Sequence, residues 1–238
     1  MSYPSTLDSH GMRNWATRAV GELAHRRDEI NALNVFPVPD SDTGSNMAHT
    51  MEAAVAELHN GGDVADSLAL GAVRGARGNS GMVLSQVLRG VAESTVDSVI
   101  DGDVFARSLQ QAVELVDRAI VDPVEGTVVT VLKAAAEAAE DAAAQLGATL
   151  HSIVSAAIAA ARMALERTPS QLPALREAGV VDAGGAGLVL LLESLLAEIE
   201  GSPGHTGLPE PESTTELEVV FFLSLIHISE PTRQAEIS

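Results

Sequence analysis

Apolar residues recur at intervals of three and four along most of this chain, and this spacing constrains the fold more than any other feature. The first series passes from Met12 through Trp15, Ala19 and Leu23 to Leu33. Such spacing puts apolar side chains on one face of an α-helix. Aromatic residues make up only 3% of the chain, whereas strands favour aromatic and β-branched side chains. The pattern therefore predicts an all-α fold.

Comparable apolar series follow one another with short breaks, and together they predict about eight helices. Residues suited to N-caps precede four of them, namely Asp8 or Ser9, Asp63, Asp103 and Thr149. One later helix is predicted to turn Leu146 inward, and the last is predicted over residues 186–200. Short connections favour antiparallel neighbours. The predicted architecture is an up-and-down bundle of about eight antiparallel helices.

Composition excludes several classes of function. The 238 residues include 14 Lys+Arg against 33 Asp+Glu, a formal net charge of −19, and no cysteine. Without cysteine there is no disulfide, thiolate metal site or thiol nucleophile. The acidic charge disfavours nucleic-acid binding, and the single lysine, Lys133, does not lie in a P-loop motif. No signal peptide or transmembrane run of about 18 apolar residues is evident, so we expect a cytoplasmic chain.

The composition changes after residue 200. Residues 201–216 are rich in Pro, Gly and Glu, as in a linker, and residues 217–222 resemble the first strand of a second domain. Residues 223–238 resemble the translation of a sequencing-library adapter, with a natural polar tail as the alternative. We therefore expect a helical domain over residues 1–200, a linker, the start of a truncated second domain and an adapter-derived tail.

The first polar break between helices, residues 34–46, is a candidate metal site. Asp40 and Asp42 alternate after two prolines, so two short carboxylates can converge on one cation. Hard oxygen ligands of this kind suit Mg²⁺. An EF-hand is a rival interpretation of these aspartates, but the glutamate that its loop requires is absent here. Alternatively, Asp40, Thr43 or Ser45 caps the helix that follows, and both roles are compatible.

Three further breaks combine glycines with polar residues. Residues 74–81 lead two arginines and three glycines into a helix, whose free amides attract anions, so they predict a phosphate cradle or else a structural turn. Residues 122–127 favour a capping turn. Residues 179–187 place Asp182 in a glycine cluster, which fits either a ligand-binding segment or tight helix packing. The seven histidines show no metal-binding spacing.

The four segments, in this order, resemble the nucleotide-binding domain that bacterial fatty-acid kinases share with the ADP-binding L subunit of dihydroxyacetone kinases. This DhaL-like resemblance covers about residues 8–200. It implies a barrel-like bundle of eight antiparallel helices that holds ATP or ADP and two Mg²⁺ ions at one end.

The resemblance also implies roles for individual residues. The implied metal ligands are Asp40 and Asp42, together with Asn34, where dihydroxyacetone kinases place a third aspartate. An amide brings no negative charge, so this departure favours the fatty-acid-kinase branch. The implied contacts to the nucleotide and its phosphates are Thr43, Asn46, Asn79, Ser80, Gly81, Thr127, Arg176, Asp182 and Gly184. No catalytic residue is assigned.

As a function, the resemblance implies a phosphotransferase. In a fatty-acid kinase, ATP phosphorylates a fatty-acid carboxylate held on a separate lipid-binding carrier protein, which gives an acyl phosphate. The alternatives are an ADP-binding L subunit of a dihydroxyacetone kinase and a non-catalytic helical bundle. We expect this fragment alone to be inactive, because most of the second domain is absent. The oligomeric state stays open, with a homodimer of the full-length protein as one arrangement.

Overall fold

A computed structural model describes residues 3–202, and every regular element in that range is helical. The α-helices are α1 Ser9–His25, α2 Arg27–Ala32, α3 Thr43–Glu57, α4 Val64–Gly75, α5 Gly78–Ser94, α6 Gly102–Ala119, α7 Val128–Ala143, α8 Leu150–Gln171, α9 Pro173–Ala178 and α10 Ala183–Ile199. The all-α prediction is confirmed. Most of the expected linker, the strand expected at 217–222 and the tail expected at 223–238 lie outside the described residues.

The eight longer helices form a closed ring in which each packs against the next. The order is α1, α3, α4, α5, α6, α7, α8 and α10, and α10 returns to pack against α1. These eight correspond to the predicted count, while α2 and α9 are additional helices of six residues each. The most deeply packed helix is α10, in which residues 188–192 are all buried.

Small residues set the close spacing of the ring. Alanines at the helix contacts, such as Ala16, Ala54 and Ala112, are fully buried. At Gly90 an added Cβ would meet backbone atoms of Ser108 and Ala112, so α5 and α6 touch backbone to backbone there. Short side chains at such contacts let helix axes approach without leaving voids. This packing explains why an alanine-rich sequence with few aromatics can still build one core.

The ring closes between its first and last long helices. Trp15 donates its indole N–H to the Ser194 hydroxyl at 3.1 Å, in a buried position. Arg18 pairs with Glu198 at 3.2 Å and also donates to the Ser202 carbonyl at 2.7 Å. These contacts join residues about as far apart in sequence as the described part of the chain allows.

At one end of the ring, side chains cap the helices. Acceptors on the N-caps Asp8, Asp63, Asp101 and Thr149 bond backbone amides of α1, α4, α6 and α8. Cross-links between segments tie the same end together. Leu7 and Ile100 exchange backbone bonds of 2.7 and 2.8 Å, and Ser98 donates to Asp63 at 2.6 Å. We refer to this region as the capped end.

Four details differ from the predicted helices. The first helix does not continue to Leu33, because the chain breaks at Arg26 and starts again as α2. Asp101 caps α6 in place of Asp103, since its carboxylate reaches the Val104 amide at 2.8 Å. Leu146 lies fully exposed beyond the end of α7 and does not face inward. The last helix begins three residues earlier than predicted, at Ala183.

Among residues 3–202, no helix is long and apolar enough to cross a membrane.

Candidate functional site

The end of the ring opposite the capped end contains a cavity of about 620 Å³, which we call the site cavity. This volume lies within the usual range of small-molecule pockets, roughly 300–1,000 Å³. Ten of the twelve residues singled out from the sequence line it: Asn34, Asp40, Asp42, Thr43, Asn46, Asn79, Ser80, Thr127, Asp182 and Gly184. Polar segments that are distant in sequence therefore meet in one place.

Helix N-termini surround the site cavity, and three of them are not capped by the side chain of their own N-cap residue. The N-caps of α3, α5 and α7 are Asp42, Arg77 and Thr127, and none of these side chains bonds an amide of its helix. Of these four helices, only α10 is capped by its own N-cap, because Asp182 accepts a bond from the Gly185 amide at 2.7 Å. Helix N-termini carry partial positive charge and unpaired N–H groups. The arrangement is suited to an anionic ligand.

The first turn of α3 is held by α2. Asn31 accepts a bond from the Ser45 amide at 3.1 Å and donates one to the Ser45 hydroxyl at 3.0 Å. The alternative in which Asp40, Thr43 or Ser45 caps this helix through its own side chain is therefore not observed. The carboxylates of Asp40 and Asp42 remain available to the cavity. Asn31 had no local signal in the sequence, because it lies in a different helix.

The carboxylate side of the cavity is organised around Asn34 and Asp40. The Asn34 side chain is buried, and its nitrogen donates to Asp40 at 2.6 Å. Because the nitrogen is engaged in this bond, the amide oxygen of Asn34 is the atom that can coordinate a cation. Asp42, at the start of α3, also lines the cavity. Two carboxylates and one amide oxygen thus form the donor set that the structure offers to a hard cation.

The charges that line the cavity have one sign. Asp40, Asp42, Asp122 and Asp182 all contribute carboxyl groups, and no Lys, Arg or His among residues 3–202 belongs to the lining. Within the described part of the chain, no group of three or more His, Asp or Glu side chains is arranged to hold a metal ion. A polyphosphate would therefore meet favourable helix termini but unfavourable side-chain charge, unless a cation accompanied it.

Asp182 is the most perturbed titratable group at the site. Its side chain is 6% exposed, and burial raises the pKa of its carboxyl to about 6. Hydrogen bonds from the backbone amides of Gly185, Val128 and Gly184 counteract part of that rise. Val128 is the first residue of α7, so one carboxyl group links the starts of α7 and α10. Its own amide donates to the buried Thr168 hydroxyl at 3.1 Å.

Two residues expected at the site do not line the cavity. Gly81 packs against α3, where an added Cβ would overlap the Thr50 hydroxyl, so its role is helix packing. Arg176 donates to the carbonyls of Pro169 and Ser170, at 3.2 and 2.7 Å, and so caps the end of α8. Gly78 lines the cavity instead, with a φ of 59° and with Asn46 packed where a Cβ would lie.

Sequence reasoning missed the apolar wall of the cavity. This wall consists of Met82, Val83, Ala119, Ile120, Val121, Val124, Val128 and Val129. The available signal was the valine-rich break after α6, where Val121 is fully exposed at the cavity rim. The site cavity therefore has a polar half beside α3 and α5 and an apolar half beside the α6–α7 connection.

A family model, the DAK2 domain, matches residues 37–197. The chain belongs to the DAK2 domain family. This DAK2 domain is 37% identical over 202 residues to the protein YloV of Bacillus subtilis (strain 168), covering 82% of this chain and 36% of YloV. It is 40% identical over 185 residues to an uncharacterized protein of Staphylococcus aureus (strain USA300), covering 75% of this chain and 34% of that protein. The chain thus spans about a third of the length of these relatives.

Solved structures of a dihydroxyacetone kinase share the fold of this DAK2 domain. The C. freundii enzyme in complex with AMP-PNP and Mg²⁺ matches with a TM-score of 0.56 and 20% identity, over 78% of this chain and 33% of that one. Its native form matches with a TM-score of 0.55 and 19% identity, over 82% and 36%. The predicted relationship to the domain of dihydroxyacetone kinases is confirmed at the level of family and fold.

Proposed function

We propose that this DAK2 domain binds ATP together with Mg²⁺ in the site cavity and serves as the nucleotide domain of a fatty-acid kinase. The observation that carries the proposal is the combination of three helix N-termini without a bond from their own N-cap side chains and a lining that, among residues 3–202, contains carboxylates and no basic side chain. The C. freundii enzyme that shares this fold was crystallised with AMP-PNP and Mg²⁺, which supports the same ligand class.

The two halves of the cavity suggest how the nucleotide is oriented. Its phosphates lie toward the starts of α3 and α5, beside Thr43, Asn79 and Ser80, where amide and hydroxyl donors are available. Its base and sugar lie against the apolar wall, which includes Met82 and Val124. Apolar walls with a few polar groups are the usual composition of cofactor pockets.

Asp40, Asp42 and the free amide oxygen of Asn34 fit a magnesium site. Their oxygen atoms are of the type that Mg²⁺ prefers, and Asn34 is fixed by its bond to Asp40. Bound Mg²⁺, as two ions by analogy with the family, would neutralise the phosphate charge that the acidic lining otherwise repels. Asp42 is the N-cap of α3, and Asn31 of α2 anchors the first turn of that helix. The position of this ligand is therefore fixed by the packing of α2 and α3.

The acceptor we propose is a fatty-acid carboxylate presented by a separate lipid-binding protein, and the product is an acyl phosphate. Asn34 in place of a third aspartate supports this branch. The competing candidate is an L subunit of a dihydroxyacetone kinase, favoured by the fold shared with the C. freundii enzyme. Both candidates are proteins that would bind their nucleotide in the cytoplasm, and neither has nucleic acid as a partner.

Calorimetric titration tests the nucleotide and metal assignments together. We expect binding of ATP with Mg²⁺ and none in EDTA. The double variant Asp40→Asn with Asp42→Asn should lose at least about 100-fold in affinity, because two charged ligands are removed. As the matched control, Asp103→Asn with Asp141→Asn removes two exposed carboxylates outside the cavity and should stay within about twofold. Equal affinity in EDTA would refute the metal assignment.

The acceptor is tested by turnover. A protein with the full length of the relatives, mixed with ATP, Mg²⁺ and a fatty-acid-loaded carrier, should form ADP and acyl phosphate in equal amounts. Residues 1–238 alone should bind ATP but show no turnover. Phosphorylation of dihydroxyacetone in place of the carboxylate would select the competing candidate.

A further inference from the structure

Arg77 directly precedes three residues that line the site cavity, and its side chain has no hydrogen-bond or ion-pair partner among residues 3–202. We propose that its guanidinium contacts the terminal phosphate of the bound nucleoside triphosphate and stabilises that phosphoryl group during transfer. This inference rests on the nucleotide-binding function proposed above, and it adds a catalytic residue from a position outside the cavity lining.

The arginines near the cavity differ in their partners. Arg74 donates to both carboxylate oxygens of Glu57, at 3.1 and 3.2 Å, and Arg118 pairs with Glu114 at 2.8 Å. The Arg77 side chain forms no hydrogen bond or ion pair with any residue of the described range. Arg13, Arg107 and Arg167 also lack a carboxylate partner within the described range, but of these arginines only Arg77 directly precedes residues that line the site cavity. Its charge is available to a ligand.

The backbone holds Arg77 at the edge of the polar half of the cavity. It is the N-cap of α5, and the next three residues, 78–80, all line the cavity. Its amide donates to the Thr50 hydroxyl at 3.4 Å, which attaches this position to α3. The side chain is exposed, so it can extend toward a ligand without losing an existing contact. Arg118 is the other basic residue in the described range that adjoins a lining position, and it is paired with Glu114.

The chemistry of the transfer needs such a group. The bond between the γ-phosphorus and the β–γ bridging oxygen breaks, and its electron pair leaves with ADP. A carboxylate oxygen of the acceptor forms the new bond to phosphorus, and no proton has to move. Two anions therefore approach each other in a cavity lined by carboxylates. A guanidinium stays protonated and offers paired N–H donors that match phosphate oxygens, and charge at this position favours the transition state.

The test compares affinities for ATP and ADP, both with excess Mg²⁺, by calorimetry on this chain. We expect Arg77→Gln to lose about tenfold or more in ATP affinity, which is typical of a charged hydrogen bond, and to bind ADP within about twofold of the unmodified chain. Arg77→Lys should lose less than Arg77→Gln, because it keeps the charge but not the paired donors. Arg74→Gln is the matched control, since it removes an arginine three residues away that is already paired, and both its affinities should be unchanged.

The outcomes separate the two proposals. If the unmodified chain binds neither nucleotide, the proposed function fails and this inference fails with it. If the chain binds both nucleotides and Arg77→Gln keeps the same ratio of ATP to ADP affinity, the inference alone is wrong. Equal losses for ATP and ADP would also contradict it, because they would place Arg77 away from the terminal phosphate. Far-UV circular dichroism checks folding, and Arg77→Lys supplies the comparison if Arg77→Gln is unstable.

Discussion

The two ends of this helical ring treat their helix starts in opposite ways. At the capped end, Asp8, Asp63, Asp101 and Thr149 each bond amides of the helix that follows. At the cavity end, the N-caps of α3, α5 and α7 make no such bond. At α3 and α7, Asn31 and Asp182 from other segments accept bonds from the Ser45 and Val128 amides, so α5 alone starts without a side-chain acceptor, and one such cap is typically worth about 1 kcal/mol. The difference fits our proposal that one end maintains the fold and the other receives a ligand.

A ligand restores part of what the cavity end lacks. Anything that binds only the folded protein raises its stability, by about 2.7 kcal/mol at a concentration 100 times its dissociation constant. Three predictions test how sharply the two ends divide these roles.

The largest effect is expected at Asp182, the one N-cap at the cavity end whose own side chain bonds an amide of its helix. Its pKa rises from 3.8 to about 6 on folding, which corresponds to about 3 kcal/mol. The folded state binds the proton more tightly than the unfolded state, so this contribution is present below about pH 4, is lost as the pH rises through 6, and then stays constant. Asp182→Asn cannot titrate and keeps an acceptor for the Gly185 amide. Urea unfolding from pH 3 to 7 should show the unmodified protein losing about 3 kcal/mol relative to this variant, whereas parallel curves would contradict the assignment.

The second effect tests whether Gly81 belongs to packing or to the ligand site. Gly81→Ala should cost about 1–3 kcal/mol of unfolding free energy, because the new Cβ overlaps the Thr50 hydroxyl. In a Thr50→Ala background, where that hydroxyl is gone, the same change should cost less than half as much. Chemical denaturation of the four proteins gives both values. An undiminished cost in that background would show that the strain arises elsewhere.

The smallest effect compares one cap from each end directly. Asp63→Ala removes an acceptor for the Ala65 and Asp66 amides and for the Ser98 hydroxyl, so it should cost about 1–2 kcal/mol. Asp42→Ala, measured in EDTA, should change the unfolding free energy by less than about 0.5 kcal/mol, because its side chain makes no cap bond. Thermal unfolding of both variants checks the contrast, and equal costs would remove it.

Local signals in the sequence predicted the capped end well. Asp8, Asp63 and Thr149 were identified as N-caps because a cap bonds residues only two or three positions away. For α6 an aspartate cap was also predicted, but at Asp103, two residues after the observed cap Asp101. The spacing of apolar residues predicted the long helices for the same reason, since it depends on neighbours along one helix.

The site could be predicted only as far as its motifs are local. Four polar breaks were expected to meet at one end, and residues from all four line the cavity. The sequence could not show that Asn31 secures α3, that Thr50 fills the space beside Gly81, or that Arg176 turns back onto α8. Each of these depends on which helices are neighbours in the ring, which only the tertiary packing decides.

The closure of the ring between α1 and α10 also bears on when, during synthesis, this protein becomes competent. Asp182 and Gly184 complete the cavity, and both belong to the last helical segment of the described chain. The contacts from Trp15 to Ser194 and from Arg18 to Glu198 form only after that segment has left the ribosome. Until then, the surfaces of α1 and α8 that pack against α10 lack their partner, and exposed apolar surface of this kind is prone to aggregate. The same late segment thus completes both the site cavity and the burial of the core.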